Sequence, residues 1–289
     1  MRSTSTAQAI PRPPRRLELV LLAGVSVSLL GAYAPVLAGL IRDWATDANY
    51  HHGFLIPVVS AYLLWSRRTA WRNAEATHHA LGLLGLVFAA GLLILGTAGA
   101  EVFTQRIGFL ASLGSLVLLL FGWRRFTLAL FPIAFLLLAI PLPYVLYYGL
   151  TAPLQALAAK FAVSGLEVLG VPVFAQGNVL HLPETSLEVA EACSGIRSLY
   201  AFLAIGALVA YFTRIPWPGR VLIFALAIPL SVAGNAFRVW GSGLGAYLVG
   251  PEVTRGTVHE LFGLLVFIVS LGILILIKRG ARSLWSPAA

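Results

Sequence analysis

Charged residues are scarce in this chain of 289 residues, where they make up 11% of the sequence. A soluble globular domain carries about 25%. Hydrophobic residues account for 59%, and the mean hydropathy is +0.88. This composition excludes an ordinary soluble domain and indicates a multi-pass membrane protein. Thiols are scarcer still: the single cysteine, Cys193, excludes an internal disulfide framework and a multi-cysteine metal cluster.

Negative charge is also in short supply, and the formal net charge is +9. The basic residues form short clusters between apolar runs and no continuous basic face. The excess charge therefore indicates membrane orientation, and no nucleic-acid partner is expected. The first 16 residues are polar with Pro and Arg, and the apolar run after them is long enough to remain as an anchor. We therefore expect no cleavable signal peptide.

Long apolar runs predict eight transmembrane helices, because a helix needs roughly 17–25 mostly apolar residues to cross a bilayer. The predicted spans are 17–41, 53–65, 80–99, 107–121, 126–142, 199–211, 221–240 and 258–277. The second and sixth are short by this standard, and Pro132 predicts a kink in the fifth. The predicted fold class is an all-α polytopic membrane protein. Its parts would be a cytoplasmic tail 1–16, one transmembrane domain 17–282, and a cytoplasmic tail 283–289.

The positions of Lys and Arg orient these spans. With the N-terminus inside, fourteen of the twenty basic residues fall on the inner side. The positive-inside rule then places both termini in the cytoplasm. The outer segment 143–198 is the longest; apolar residues recur in it at helical spacing over 150–170, and two short strand patterns follow, with a turn at 176–178. We expect an extracytoplasmic insert made of an interfacial helix and a β-ribbon that leads to Cys193.

Polar residues gather at the outer ends of three predicted spans. Cys193 and Arg197 precede the sixth span, Asn235 and Arg238 lie near the end of the seventh, and His259 begins the eighth. Ionisable groups at membrane depth are costly and generally face the bundle interior or a water-filled cavity. Convergence of the three helix ends would create a site that opens to the outer face.

Thiol chemistry explains this set of residue types. A neighbouring cation such as Arg197, or a helix N-terminus, lowers the pKa of a thiol from about 8.5 and so favours the nucleophilic thiolate. A histidine can take the thiol proton and return it to a leaving amine, and an arginine can stabilise an oxyanion. Cys193, His259 and Arg238 fill these roles. The other residues expected to support or line the site are Glu191, Ser194, Arg197, Asn235 and His52.

Each residue also has an ordinary structural explanation. A lone cysteine can pack as a small apolar group, Arg238 can snorkel, and His259 with Glu260 can open a helix. A metal site built from His51, His52 and His181 is disfavoured, because no helical His spacing or HExxH pattern supports it. No cofactor is expected. Two other functional classes stay open: a transporter or flippase, and a non-catalytic assembly factor for surface polysaccharide or protein export.

Several motifs carry a family resemblance. "EVAEACSGIRSLYAF", "IPLSVAGNAFRV" and the His of "VHELFG" occur in that order, after the early segment "DANYHHGFLIPVVSAYLLWSRR" and the stretch "IPLPYVLYYGLTAPLQALAAKFAVSGLEVLGVPVFAQGNVLHLP". From about residue 43 to 267 the chain thereby resembles the exosortase/archaeosortase family. Members are multi-pass membrane enzymes proposed to cleave and sort proteins that bear a C-terminal tripartite signal, of the PEP-CTERM type in bacteria.

The resemblance implies that Cys193 is the nucleophile, Arg238 the oxyanion or thiolate stabiliser, and His259 the acid/base. Archaeal members are similar but carry Arg in place of His259, so the resemblance favours the bacterial branch. His51 stands where the family usually has Ser before its His-Gly pair. The implied location is the bacterial inner membrane, with the site facing the periplasm. The implied partners are secreted proteins with a C-terminal motif, transmembrane helix and basic tail, membrane lipid, and an amine acceptor such as a surface polysaccharide.

Overall fold

The computed structural model describes residues 15–77, 79–183, 185–188 and 196–285. The helices are α1 Arg15–Thr46, α2 Leu55–Ser66, α3 Arg68–Asn73, α4 Leu81–Ala98, α5 Val102–Phe135, α6 Tyr144–Val168, α7 Ile196–Phe212, α8 Trp217–Leu248 and α9 Gly256–Trp285. Strands β1 Phe174–Gln176, β2 Val179–Leu182 and β3 Thr185–Glu188 form an antiparallel sheet in the order β1-β2-β3. The protein is therefore a mostly helical membrane protein with a small β insert, as its composition and patterning predict.

Five helical segments are long and apolar enough to cross a membrane. They are Ala23–Thr46, Leu81–Ala98, Val102–Ala139, Trp217–Leu248 and Gly256–Ser283. Helix α7 has 17 residues and α2 has 12, which is at or below the length that spans a bilayer. The total of eight spans therefore stays a prediction.

The chain reverses within α5 at Gly122, between the fourth and fifth predicted spans. Gly122 has φ +78° and ψ −178°, a conformation that is essentially restricted to glycine. Near the start of α5, Arg106 forms an ion pair with Asp43 of α1. Just beyond its end, the carbonyl of Ala139 accepts a hydrogen bond of 2.7 Å from Trp44 Nε1. Both ends of the segment thus meet the same end of α1, and two antiparallel helical halves lie between them.

Proline 132 does not break the helix. Within α5, all of which is described, the backbone leaves the helical conformation at Gly122 and not at Pro132. The Ser60 hydroxyl of α2 donates a hydrogen bond of 2.7 Å to the Pro132 carbonyl, so this part of α5 packs against α2. The kink at Pro132 stays a prediction, and the backbone reverses ten residues earlier, where glycine allows it.

Basic residues cluster at the end of the bundle opposite to the Arg106–Asp43 ion pair. The guanidinium of Arg67 lies 4.8 Å from the ring centroid of Tyr211, at the end of α7. Arg125 donates to the carbonyl of Ala74, and Arg220 donates to the carbonyl of Ile215. This is the end predicted to be cytoplasmic. The other end, predicted to be extracytoplasmic, is called the outer end below.

The insert packs against the outer part of α8 through α6. Ala158, Ala162 and Leu166 are at most 1% exposed and share a core cluster with Val239 of α8. Small residues on α6 allow the two helices to approach closely, which explains why an alanine-rich face is the buried one. The apolar residues at helical spacing in this segment divide between two environments: Leu157 and Phe161 are 53% and 50% exposed, whereas Leu166 is buried. Only part of the predicted apolar face therefore points away from the protein.

Helices α8 and α9 run antiparallel and bring their outer halves side by side. Helix α7 joins them: the rings of Phe202 and Phe267 meet edge to face with centroids 4.8 Å apart. Helix α8 continues eight residues past the predicted end of its span at residue 240, to Leu248. The polar residues of α7, α8 and α9 therefore lie within helices at the outer end, and not in loops.

Candidate active site

The outer parts of α7, α8 and α9 enclose a cavity of about 230 Å³, called the α7–α9 cavity below. Its polar lining residues are Arg197, Ser198, Ser231, Asn235, Arg238 and Ser270. The remaining lining is small or apolar and includes Phe202 and Phe267. Two guanidinium groups are thus combined with hydroxyl and amide groups, and no acidic residue occurs among the described residues of the lining.

Arg238 lies directly against the backbone of α9, because residue 263 has no side chain. A Cβ on Gly263 would come 2.6 Å from Arg238 Cζ. Arg238 Nε is buried and has no hydrogen-bond partner among the described residues, and the same holds for the hydroxyl of Ser231, which is 2% exposed. Burying an unsatisfied donor costs free energy. The α7–α9 cavity is therefore suited to a polar occupant.

His259 meets α8 one turn further out than Gly263. Its Nδ1 lies 3.4 Å from the hydroxyl of Ser242, which is 5% exposed and one turn beyond Arg238 on α8. The positive charge of Arg238 acts electrostatically on the His259 imidazole. The structure thus places Arg238 and His259 on neighbouring turns of one helix interface. His259 itself does not belong to the lining of the α7–α9 cavity.

Arg197 brings the first turn of α7 to the same place. It lines the α7–α9 cavity together with Asn235 and Arg238, and its Nη2 donates a hydrogen bond of 3.5 Å to Asn49 Oδ1. Cys193 stands four residues before Arg197 in the sequence. Cys193, Glu191 and Ser194 lie outside the described residues, so their placement and roles stay predictions. What the structure brings together is the surrounding frame of Arg197, Asn235, Arg238 and His259.

His52 contacts α7 on the side that faces away from the α7–α9 cavity. It lies in the 3₁₀ turn His51–Phe54 after α1, and its ring stacks on Tyr200 of α7 with centroids 5.3 Å apart. Its Nε2 lies 3.0 Å from the carbonyl oxygen of Leu138 and donates to it. Burial lowers the pKa of His52, which favours the neutral imidazole. His52 is therefore a neighbour of the first turns of α7 and does not line the α7–α9 cavity.

The remaining histidine considered as a metal ligand lies in the insert. His181, on β2, stacks on Phe174 with centroids 4.6 Å apart and is hydrogen-bonded to the hydroxyl of Ser186 at 2.9 Å. Within residues 15–77, 79–183, 185–188 and 196–285, no group of three or more His, Cys, Asp and Glu side chains could hold a metal ion.

Four residues that contact or adjoin this frame are not among those predicted from the sequence. Ser242 and Gly263 each stand four residues after a predicted site residue, so helical spacing could have found them. Ser231 sits on the same face of α8 as Asn235 and Arg238, seven residues before Arg238, and was accessible by the same rule. Asn49 meets Arg197 from 148 residues away in the chain, and no local pattern indicates such a contact.

These observations define a class of protein: a polytopic membrane protein with a polar site at one end of its helix bundle. Within that class, the sequence model of the transmembrane exosortases (Exosortase_EpsH) matches residues 44–276, which is most of the chain. The chain belongs to the transmembrane exosortase family. No curated protein and no solved structure matches it. Exosortases are in general membrane-embedded cysteine transpeptidases that sort proteins.

Proposed function

We propose that this protein is a cysteine transpeptidase or protease that cleaves the C-terminal sorting signal of secreted proteins at the outer face of the membrane. The observation that carries the proposal is the meeting of Arg197, Arg238 and His259 at the outer ends of three helices. The only cysteine of the chain precedes Arg197 by four residues in the sequence. Membership of the exosortase family supports the same reaction class.

In the proposed reaction His259 takes the thiol proton of Cys193, and the thiolate attacks the carbonyl carbon of the scissile peptide. Arg197 and the N-terminal end of α7 favour the thiolate, because positive charge lowers the pKa of a thiol. Arg238 donates N–H groups to the oxyanion of the tetrahedral intermediate. The C–N bond then breaks, and His259 gives a proton to the leaving amine. The products of this half-reaction are a thioester on Cys193 and a released C-terminal helix.

The second half-reaction resolves the thioester. A neutral amine or water attacks the carbonyl carbon and gives a proton to His259, the C–S bond breaks, and Cys193 leaves as the thiolate. With an amine the secreted protein is transferred to an acceptor such as a surface polysaccharide, and with water it is released.

The proposed substrate is a secreted protein that its own C-terminal helix and basic tail hold in the bacterial inner membrane. A motif of the PEP-CTERM type just outside that helix would lie at the depth of the outer helix ends. The enzyme would cross the membrane eight times, with both termini in the cytoplasm and its site facing the periplasm. The basic cluster around Arg67, Arg125 and Arg220 at the opposite end of the bundle supports this orientation.

Replacement of the nucleophile tests the proposal. A reporter protein that ends in such a motif, helix and basic tail is coexpressed with the full chain, and its processing is followed by mass. We expect a mature product with the wild type and none with Cys193→Ala. Mature product at wild-type level in that variant contradicts covalent catalysis. A thiol-reactive substrate peptide that becomes attached to Cys193 separates an enzyme from a transporter or an assembly factor.

The variant Arg238→Lys tests the oxyanion role. An ammonium lacks the planar fork of donors that a guanidinium presents, so we expect severely impaired processing although the charge is kept. Arg255→Lys, at an exposed position of the same outer end, is the matched control and is expected to process the reporter normally. Equal rates in the two variants would remove Arg238 from the chemistry.

A further inference from the structure

A second cavity lies at the outer end of α1, beside the start of α6, and has a volume of about 460 Å³. It is called the tyrosine cavity below. Its aromatic and acidic lining residues are Tyr50, Tyr144, Tyr147, Tyr148, Asp43 and Asp47. No Lys or Arg occurs among the described residues that line it. Its composition is therefore opposite in charge to that of the α7–α9 cavity.

Three tyrosines of α6 form an aromatic wall. The rings of Tyr144 and Tyr148 lie 4.5 Å apart at 47°, and their hydroxyl groups are 3.0 Å apart. Tyr147 meets Tyr148 edge to face with centroids 5.3 Å apart. Tyr144 and Tyr148 are 75% and 40% exposed, so a cation can reach this wall from outside the protein. Tyrosine rings attract a cation held over their faces.

The carboxylates make the tyrosine cavity negative. Asp43 is neutralised by Arg106, which lies outside the cavity lining, whereas Asp47 forms no ion pair within the described part of the chain. Asp47 Oδ1 accepts only a backbone hydrogen bond among those described, of 2.8 Å from the N–H of Asn49. Burial raises the pKa of Tyr50, and the negative charges of Asp47 and Asp43 raise it further. A field of this sign favours a positively charged occupant.

Asn49 connects the tyrosine cavity to the candidate active site. Its side chain is 8% exposed; Nδ2 donates a hydrogen bond of 3.3 Å to the Tyr147 hydroxyl, and Oδ1 accepts one of 3.5 Å from Arg197 Nη2. Asn49 lines the tyrosine cavity, and Arg197 lines the α7–α9 cavity. One hydrogen-bonded pair of side chains therefore stands between the two cavities, at the first turn of α7.

We propose that the tyrosine cavity binds the acceptor of the transfer step as a protonated primary amine. This inference rests on the proposed function and assigns its second substrate a site. The bound ammonium group gives one proton to water at the outer face, and its nitrogen then attacks the thioester carbonyl carbon. The new C–N bond forms, the C–S bond to Cys193 breaks, and the second proton passes to His259. Aromatic faces and a carboxylate recognise the positive charge of the amine, and they do not select for the rest of the acceptor molecule.

The ratio of two products tests the inference. The full-length protein in nanodiscs is given a synthetic peptide substrate and a biotinylated primary alkylamine, and the amide and hydrolysed products are counted by mass spectrometry. We expect the amide product to saturate with amine concentration. Tetramethylammonium, which fits a cation site but cannot form an amide, should lower the amide-to-hydrolysis ratio, whereas the same concentration of potassium chloride should not.

Two variants of the cavity extend the test. Asp47→Asn removes the carboxylate charge and Tyr148→Leu removes one aromatic face, and each should lower the ratio about tenfold. The amide-to-hydrolysis ratio is measured because a loss of folded protein lowers both products equally and leaves the ratio unchanged. Tyr62→Leu, on the exposed side of α2, and Glu75→Gln, at the opposite end of the bundle, are the matched controls and should leave the ratio unchanged.

Several outcomes of these experiments would contradict the inference. Hydrolysis alone at every amine concentration, an amide product that rises without saturation, or a ratio insensitive to tetramethylammonium overturns the inference, even if the variants fold poorly. Unchanged ratios in Asp47→Asn and Tyr148→Leu overturn it as well and leave four tyrosines with an interfacial anchoring role. The absence of both products from the wild type would contradict the proposed function itself.

Discussion

Residue 263 decides where the guanidinium of Arg238 can lie. In Gly263→Ala the new Cβ would stand 2.6 Å from Arg238 Cζ, so the guanidinium has to move away from α9. A displacement of about 1 Å at a catalytic group can lower a rate about 10²-fold. We therefore expect reporter processing to fall by about that factor, measured in membranes that contain equal amounts of each variant.

The matched control for this substitution is Gly272→Ala on the same helix. An added Cβ at position 272 meets nothing within 4 Å, so the variant changes helix propensity alone, by about 1 kcal/mol in favour of the helix. We expect normal processing from it. If Gly263→Ala processes the reporter as fast as Gly272→Ala, then the position of the Arg238 guanidinium does not limit the reaction.

At the residue scale, the cost of placing ionisable groups at membrane depth is what points to Arg238 and His259 in the sequence. Ser242 follows Arg238 by one helical turn, and Gly263 follows His259 by one helical turn, so helical spacing could have indicated both. Asn49 could not, because its contacts with Arg197 and Tyr147 depend on how α1, α6 and α7 are arranged in space.

The 3₁₀ turn His51–Phe54 and the start of α7 form one packed element, and its stability should depend on pH. Burial lowers the pKa of His52 below its usual value of about 6.5. The folded protein therefore binds this proton less readily than the unfolded chain. The contribution to stability is complete above about pH 6.5 and falls as the pH drops below that value.

The variant His52→Gln tests this pH dependence. Glutamine keeps an amide donor for the Leu138 carbonyl but does not titrate, so its thermal unfolding in detergent should vary less between about pH 5 and about pH 8 than that of the wild type. His51→Gln, at the exposed neighbouring position, should behave as the wild type does. An equal pH dependence in wild type and His52→Gln would show that the stacked imidazole is not the titrating group.

The reversal inside α5 depends on one glycine. In Gly122→Ala the residue would have to adopt φ +78° and ψ −178°, which costs about 1–3 kcal/mol, and its Cβ would also come 2.2 Å from Thr77 Oγ1. We expect a clearly lower unfolding temperature in detergent. Gly91→Ala in α4, where nothing lies within 4 Å of the new Cβ, is the control and should not be destabilised. Equal unfolding temperatures would mean that the helix does not reverse at residue 122.

The observed helix boundaries show why apolar runs in the sequence predict only part of the helical arrangement. The runs 107–121 and 126–142 stop on either side of Gly122, so composition located the reversal although it missed the backbone cause. The short runs at α2 and α7 were also recognised, but hydropathy cannot say how a helix of 12 residues sits in a bilayer. Helix α8 extends beyond its predicted end because its outer part packs on α6, and packing partners are invisible to a window average.

On the scale of the whole molecule, charge asymmetry is the property that sets orientation. The clustered arginines lie at one end of the bundle and both cavities lie at the other. Because Lys and Arg are retained on the cytoplasmic side, the cavities should open to the periplasm. The proposed secreted substrate would be accessible only there, so the proposed function requires this orientation.

Single cysteines measure this orientation directly, since the chain has one cysteine to remove. In a Cys193→Ala background, Gln176→Cys on the exposed strand β1 should react with a membrane-impermeant maleimide in intact spheroplasts. Glu75→Cys, exposed near the basic end, should react only after the membrane is permeabilised. The reverse pattern would place both cavities in the cytoplasm, where a translocated protein presents neither its sorting motif nor an acceptor amine, and the sorting role would then be impossible whatever the thiol can do.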